Sequence, residues 1–309
     1  MIDFEDQVAI VTGAGRGLGR LYALELARRG AAVVVNDVGG SMAGSGADPR
    51  IADAVVAEIE QAGGVAVASY DSVASREGGQ AIVDTAIRRF GRLDVVVSNA
   101  GIFQTRPFDQ LSAEDWHAML NVHLSGTFYV SQPAFRVMKA QRYGRFVFIS
   151  SSAGMFGQPS SAHYAAAKAG IVGLANVIAI EGAEHGILAN TVLPFGYSRM
   201  VSETVGDPET LLAESAFLRA IRPELVVPLV VFLASRACDV THQSYSAGAG
   251  RYARVFVGLA PGWVAEHGEA TADDVAAHFT DVSATDSFTI PASIFDEVFA
   301  ICSRLGIDS

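Results

Sequence analysis

Thr12-Gly13-Ala14-Gly15-Arg16-Gly17-Leu18-Gly19 follows directly on an apolar run at residues 8–11 and precedes a helical pattern at residues 18–29 that Gly30 stops. Strand, glycine turn and helix, in that order, let backbone N–H groups and a helix N-terminus close on a diphosphate. Such glycine spacing also occurs in ordinary turns, so its position between strand and helix is what gives it weight. Gly13, Arg16, Gly17, Leu18 and Gly19 form the expected cradle.

The alternation continues for two hundred residues. Further strands are expected at 32–35, 65–68, 93–97, 145–149 and 187–193, the last ended by Pro194. Helices are expected from Pro49 with Asp48 as N-cap, over 76–90, from Ser112 toward Gln141, and over 162–184. Strands alternating with helices predict a doubly wound α/β fold with a parallel sheet covered on both faces. After residue 200 the rhythm weakens, to short helices at Asp207-Pro208-Glu209 and Arg222-Pro223-Glu224 and a last strand near 243–247. Residues 251–309 carry a strand-like 252–257 and helices near 272–279 and 292–303, with no Pro/Ser linker before them. They are expected to form a C-terminal extension packed on the 1–250 domain.

Composition excludes several classes of function. Half of the 309 residues are hydrophobic and 18% are charged, enough apolar material for a large core. Acidic residues outnumber basic ones 33 to 22, a net charge of −11 that argues against nucleic acid and anionic membrane partners. The most apolar stretch, 225–234, is short and contains Pro228, so no spanning helix is expected. Residues 1–6 lack the pattern of a secretory leader. Two cysteines, Cys238 and Cys302, make neither a disulfide framework nor a zinc set, so no metal is expected. These features, and an ending Ile307-Asp308-Ser309 without a Ser-Lys-Leu address, predict a cytosolic location.

Several polar residues stand at strand ends, where open parallel sheets bind ligands. Asp37, 18 residues after Gly19, can accept hydrogen bonds from adenosine ribose hydroxyls and would repel a 2′-phosphate, favouring NAD over NADP. Arg16 pulls the other way, and Asp37 outweighs it because its charge would lie on the ribose itself. Asp71 either contacts the adenine amine or caps its own loop. Asn99-Ala100-Gly101 supplies small residues beside the cofactor, with Asn99 able to pin neighbouring strands. Tyr164 and Lys168, four apart on a helix, share one face. A nearby ammonium and the positive charge of oxidised nicotinamide favour the Tyr164 phenolate, making it a general acid/base, while Lys168 would hold ribose hydroxyls. In Ser150-Ser151-Ser152, a hydroxyl can hydrogen-bond a reacting oxygen.

Together these segments resemble the short-chain dehydrogenase/reductase family: Thr-Gly-x3-Gly-x-Gly, then Asn-Ala-Gly, then Ser 13 residues before Tyr-x3-Lys, which selects Ser151. The resemblance covers residues 5 to about 250. It implies a Rossmann-type sheet and reversible hydride transfer between a nicotinamide cofactor, here NAD, and an alcohol/carbonyl pair. Val35-Asn36-Asp37-Val38-Gly39-Gly40, Tyr70-Asp71-Ser72-Val73, Val122-His123-Leu124 and Ala179-Ile180-Glu181-Gly182 are similar to the (3R)-hydroxyacyl-CoA dehydrogenase part of the peroxisomal type 2 multifunctional enzymes. That likeness implies a 3-hydroxyacyl-CoA-type substrate and adds Ser72 to the cofactor contacts. The wider family pairs as homodimers or homotetramers through the Tyr–Lys helix.

The sequence departs from the family in three places. Where the family places a catalytic Asn, 28 residues before the Ser, this chain has His123. One ring nitrogen could carry the same proton relay, or His123 could be a satisfied core histidine. Ser98 replaces the first Asn of Asn-Asn-Ala-Gly, and Pro194-Phe195-Gly196 replaces Pro-Gly, leaving Ser198 as the candidate for the nicotinamide amide. A lid is expected from Pro194 to about Arg219. Phe103, Met155, Phe156, Phe195, Tyr197 and Met200 could line a mouth for an apolar alcohol or ketone. The alternatives are a steroid or other bulky alcohol, or a non-catalytic NAD-binding regulator.

Overall fold

In the computed structural model, which describes residues 1–41, 46–196, 215–265 and 269–305, the apolar runs lie side by side as one eight-stranded sheet. The strands are β1 (Val8–Thr12), β2 (Ala32–Asn36), β3 (Val65–Ser69), β4 (Val95–Ser98), β5 (Gly144–Ile149), β6 (Ile187–Phe195), β7 (Gln243–Gly248) and β8 (Arg251–Val255), in the order β3-β2-β1-β4-β5-β6-β7-β8. The pairings from β3 across to β7 are parallel. Every residue of β1, β4 and β5 is buried, which is why these strands read as unbroken apolar runs rather than as alternation. The chain winds outward through β1, β2 and β3, then returns to place β4 on the other side of β1. Strand order therefore reverses between β1 and β4, and a crevice opens beyond their carboxyl ends.

Two apolar layers cover the sheet. Ala9 and Val11 pack with Tyr22 and Leu26 of α1 (Gly17–Arg28) and Ile59 of α2 (Arg50–Gln61). Val8 and Ile10, pointing the other way, pack with Ile82 of α3 (Arg76–Phe90), Met138 of α5 (Gly126–Gln141) and Ile171 of α7 (Ala162–Gly182). Helices α4 (Ala113–Leu120) and α6 (Ser152–Phe156) pack against α7.

The structure departs from the sequence expectations at a few elements. Pro194 does not end β6: it pairs with Ala247 and the strand continues to Phe195. β5 ends opposite Val192, so beyond that point β6 has a strand partner on the β7 side alone and a missing N–H is tolerated. The helix expected from Ser112 to Gln141 is interrupted by a π-turn at Asn121–Ser125. Asp48 does serve the start of α2, accepting from the Arg50 amide at 3.1 Å, while Pro49 sits one position before the helix. The stretch Ala162–His185 is long and apolar enough to cross a bilayer by length and composition, contrary to expectation. Its hydropathy has a local cause, because Tyr164, Ala167, Lys168, Ile171, Ala175 and Ala179 are buried in the fold. The turn at Asp207-Pro208-Glu209 lies outside the described residues.

The chain divides into two compact units, Met1–Arg254 and Val255–Ser309. Every site residue discussed below belongs to the first unit. Within the second, Leu259 bridges Thr289, Phe256 stacks on Phe288, and a Thr271–Asp274 capping box opens a short helix at Ala272–Ala277.

Asp94 locks the entry of β4 to β1. Its fully buried carboxylate accepts from the Val8 amide at 2.9 Å and, bidentately, from Nε and Nη2 along one edge of the Arg92 guanidinium, both at 2.8 Å. Asp94→Ala leaves the Val8 N–H without a partner in a dry environment. A loss of about 1–3 kcal/mol in unfolding free energy is expected, measurable as a lowered urea midpoint with the slope unchanged.

Candidate active site

The β1–β4 crevice is a cavity of about 770 Å³. At one end stands the glycine turn. α1 begins at Gly17 with neither a side-chain cap nor an acid in its first turn, so its leading N–H groups are free to meet an anion. Gly17 has φ +51° and open space where a Cβ would stand, whereas a Cβ on Gly19 would come within 2.1 Å of the Gly13 carbonyl oxygen. A diphosphate can therefore approach the backbone, and the residues present fit a dinucleotide. Asn99 holds the cradle shut below: its amide donates to the Thr12 carbonyl at 3.0 Å and the Gly13 carbonyl at 3.1 Å. The Thr12 hydroxyl accepts from the Asn99 and Ala100 amides, both at 3.0 Å.

Asp37 stands at the rim, its two oxygens taking the Gly15 amide at 2.8 Å and the Gly39 amide at 2.7 Å. Arg16 reaches across to the Gly40 carbonyl at 3.3 Å. Asp71 is oriented by the Ser69 hydroxyl at 3.2 Å, and Ser72 accepts from the Ala74 amide at 3.2 Å. Gly13, Arg16, Gly17, Leu18, Gly19, Asp37, Asp71, Ser72, Asn99, Ala100 and Gly101 all line the one cavity. Ser198 lies outside the described residues, as do Tyr197 and Met200.

At the other end, α7 brings Tyr164 and Lys168 to the cavity wall, both almost wholly buried. The Lys168 ammonium lies 5.6 Å from the Tyr164 ring centroid and donates to the Ile149 carbonyl at 2.7 Å. Burial pulls its pKa down to about 7. Burial also raises the Tyr164 phenol, and a hydrogen bond from Ser151 partly counters this. The expected lowering of Tyr164 by Lys168 is thus not what the protein alone produces: desolvation dominates, and it drives both groups toward their neutral forms. Ser150 and Ser151 have separate tasks. Ser150 donates to the Lys168 carbonyl at 2.7 Å and ties β5 to α7, while Ser151 faces Tyr164 and caps α6 through the Ala153 amide at 3.2 Å.

His123 is fully buried in the π-turn, with its ring edge-on to Tyr164 at 5.3 Å. Its Nε2 lies 2.7 Å from the Ile102 carbonyl and 3.1 Å from the Ile102 amide, and among the described residues its Nδ1 has no hydrogen-bond partner. Burial above all, then the Lys168 charge, holds its pKa well below the usual value. A neutral ring donating Nε2–H to Ile102 leaves Nδ1 as a bare acceptor. His123 is therefore not a fully satisfied core histidine, and it lines the cavity.

Of the expected mouth residues, Phe103 lines the cavity and packs edge-on against Tyr164 at 5.0 Å. Met155, Phe156 and Phe195 do not line it; Phe156 is 72% exposed. Sequence reasoning missed Thr12, whose position before Gly13 was the available signal, and Ile102, Thr105, Gln158 and Ser160, which no motif marks.

A strand-reversal crevice with a glycine cradle at one end and a Ser–Tyr–Lys cluster at the other defines a nicotinamide-dependent oxidoreductase acting on CH–OH groups. The chain belongs to the short chain dehydrogenase family, whose model matches residues 7–207. It is 48% identical to peroxisomal multifunctional enzyme type 2 of Mus musculus over 80% of this chain and 32% of that one. It is 37% identical to a 3-oxoacyl-[acyl-carrier-protein] reductase of Synechocystis over 79% of this chain and 96% of that one. Among solved structures, full-length peroxisomal multifunctional enzyme type 2 from Drosophila melanogaster matches with TM-score 0.81 and 32% identity, covering 99% of this chain and 50% of that chain. A 7α-hydroxysteroid dehydrogenase complexed with NADH and 7-oxo glycochenodeoxycholic acid matches with TM-score 0.71 and 28% identity, covering 80% of this chain and 95% of that chain. The chain spans only 27 to 38% of the length of the multifunctional relatives from mouse, fly and yeast. The cytosolic location expected from the sequence is overturned: relatives from Mus musculus, Drosophila melanogaster, Saccharomyces cerevisiae and Dictyostelium discoideum are all named as peroxisomal enzymes.

The histidines give a pH signature. Burial lowers the pKa of His123, His163 and His242 below 6.5. As pH falls through about 6.5, the unfolded chain takes up protons that the folded chain refuses, so stability drops. Urea midpoints are expected to fall between about pH 7 and 5.5, and His163→Gln to flatten that slope; a flat wild-type profile would contradict the assignment.

Proposed function

We propose that this protein interconverts a secondary alcohol and a ketone with NAD, on a 3-hydroxyacyl-CoA-type substrate. The observation that carries the reading is one cavity wall holding Ser151, Tyr164 and Lys168 together with the glycine cradle. A bound nicotinamide supplies the hydride acceptor for oxidation, or the donor for reduction. Tyr164 exchanges the proton at the substrate oxygen, and Ser151 donates a hydrogen bond to that oxygen. Lys168, next to the phenol and drawn toward neutrality, holds ribose hydroxyls and passes protons onward. His123 continues that path through its unpartnered Nδ1, the role its neutral ring suits. Asp37 supports NAD over NADP, because a 2′-phosphate would stand against its carboxylate.

The substrate class is supported by the relatives named as multifunctional enzymes and as a 3-oxoacyl reductase. A steroid-type alcohol is the second reading, favoured by the likeness to the 7α-hydroxysteroid dehydrogenase. Half-exposed Val177 and Ile180 on α7 support pairing with a second copy as a homodimer or homotetramer.

NADH production against (3R)- and (3S)-hydroxyacyl-CoA and steroid alcohols tests the function, with turnover of the (3R) thioester expected. Tyr164→Phe is expected to bind NAD as before, by tryptophan-to-NADH energy transfer or calorimetry, and to lose roughly 10²–10⁴-fold in kcat. Wild-type turnover in that variant would remove Tyr164 from the chemistry. Asp37→Ala is expected to raise the NADP/NAD ratio of kcat/KM by about tenfold or more.

A further inference from the structure

Directly before Tyr164 on α7 stands a second buried imidazole, which the chemistry above leaves without a task. His163 is wholly buried, and among the described residues neither of its ring nitrogens has a hydrogen-bond partner. An apolar side chain of similar size would fill that space without leaving polar atoms unpaired, so packing does not account for an imidazole there. Residues 163, 167 and 170 share one face of the helix. Ala167 on that face is fully buried, and a Cβ on Gly170 would come within 2.9 Å of the side chain of Leu124, the neighbour of His123 in the π-turn. The two imidazoles sense each other's charge, since His163 is one of the groups that lower the His123 pKa. His163 also responds to a pair of charges nearer the surface. Burial lowers its pKa most, the Asp115 carboxylate raises it and the Arg106 guanidinium lowers it. Arg106 and Asp115 are both partly exposed and lie 3.5 Å apart, with Asp115 in the first turn of α4, which packs on α7. The Arg106 amide donates to the Ser160 carbonyl at 2.8 Å and fastens this rim to the start of α7.

We infer that His163 is the outer station of a two-imidazole proton path, by which a proton leaving Tyr164 and Lys168 passes His123 and reaches solvent beside Asp115. The inference rests on the proton transfer proposed above and gives it an exit. His163 does not line the cavity, so it is no catalytic residue and acts through His123. Its ring takes a proton on one nitrogen and releases the proton carried by the other toward Asp115. The ring ends neutral, and one proton has moved outward. Nδ1 of His123 and both nitrogens of His163 offer polar partners to a bridging water where the rings do not meet directly.

The test reads proton release when NAD is added to the protein, by stopped flow with a pH-indicator dye in weakly buffered solution. The positive charge of oxidised nicotinamide favours loss of a proton from the Tyr164–Lys168 pair, so wild type is expected to release one rapidly. His163→Phe and His163→Gln are expected to bind NAD with unchanged affinity and to release the same number of protons about tenfold or more slowly. Gln keeps polarity and hydrogen bonding but cannot take up a proton near neutral pH, which separates relay from packing. In His163→Ala, added imidazole is expected to restore rapid release. No proton release from wild type overturns the inference. So does a wild-type rate in His163→Gln, or a slow rate in His163→Ala that imidazole leaves unchanged. A wild type that releases its proton by this His163-dependent route yet oxidises none of the alcohols tested overturns the functional reading and leaves the path standing.

Discussion

The grip of Asn99 on the ends of β1 is the interaction on which the site depends. Parallel strands lie close together, and opening a ligand crevice between them exposes backbone groups that would otherwise be paired. At the β1–β4 reversal the Asn99 amide takes up the Thr12 and Gly13 carbonyls, and the Thr12 hydroxyl takes up two amides in return. The strand ends are thereby satisfied without closing the crevice. The same clasp requires close approach: a Cβ on Gly13 would lie 2.8 Å from the Ala100 Cα. Small residues at 13, 100 and 101 follow from this crowding, and so does the position of His123, whose ring packs where a Cβ on Gly101 would stand.

Burial sets the electrostatics at the chemical end. Tyr164 is pushed up and Lys168 drawn down to about 7, both because water is excluded. A phenol and an amine that favour their neutral forms in isolation respond steeply to any charge brought between them, since the local dielectric is low. His123 adds a third neutral group to this dry volume, held by a single backbone residue, Ile102. The π-turn that carries it is stabilised by the Thr127 hydroxyl, which donates to the His123 carbonyl at 2.6 Å and lies 3.0 Å from the Ser98 hydroxyl. Ser98, a departure from the family pattern, therefore belongs to the support of another departure. Wide π-turns recur at functional positions because they redirect one side chain without ending the helix.

The strands, their order of appearance and the shared face of Tyr164 and Lys168 are legible because each rests on short-range rules, whereas Ser151 is singled out among Ser150-Ser151-Ser152 only by the resemblance to the family pattern. Residues 8–11 read as a doubly buried strand from four apolar residues and a glycine stop. Tyr164 and Lys168 read as one face from their spacing. The misreadings share a cause. Pro194 reads as a strand end because Pro lacks a donor, yet whether that donor is missed depends on where β5 stops. The stretch 162–185 meets the length and composition of a spanning helix, and neither property says that Ala167, Ile171, Ala175 and Ala179 are buried in the fold. Met155, Phe156 and Phe195 were expected at the mouth from their apolar character, which says nothing about which way a loop turns them.

Local periodicity and turn chemistry therefore determined the α/β class, the glycine cradle and the Tyr–Lys face, because helices and strands are set by residues a few positions apart. Packing alone decided the partner of His123 and the depressed lysine. Each of these depends on which distant segments meet and on how completely they expel water, and neither property is written in any short stretch of chain.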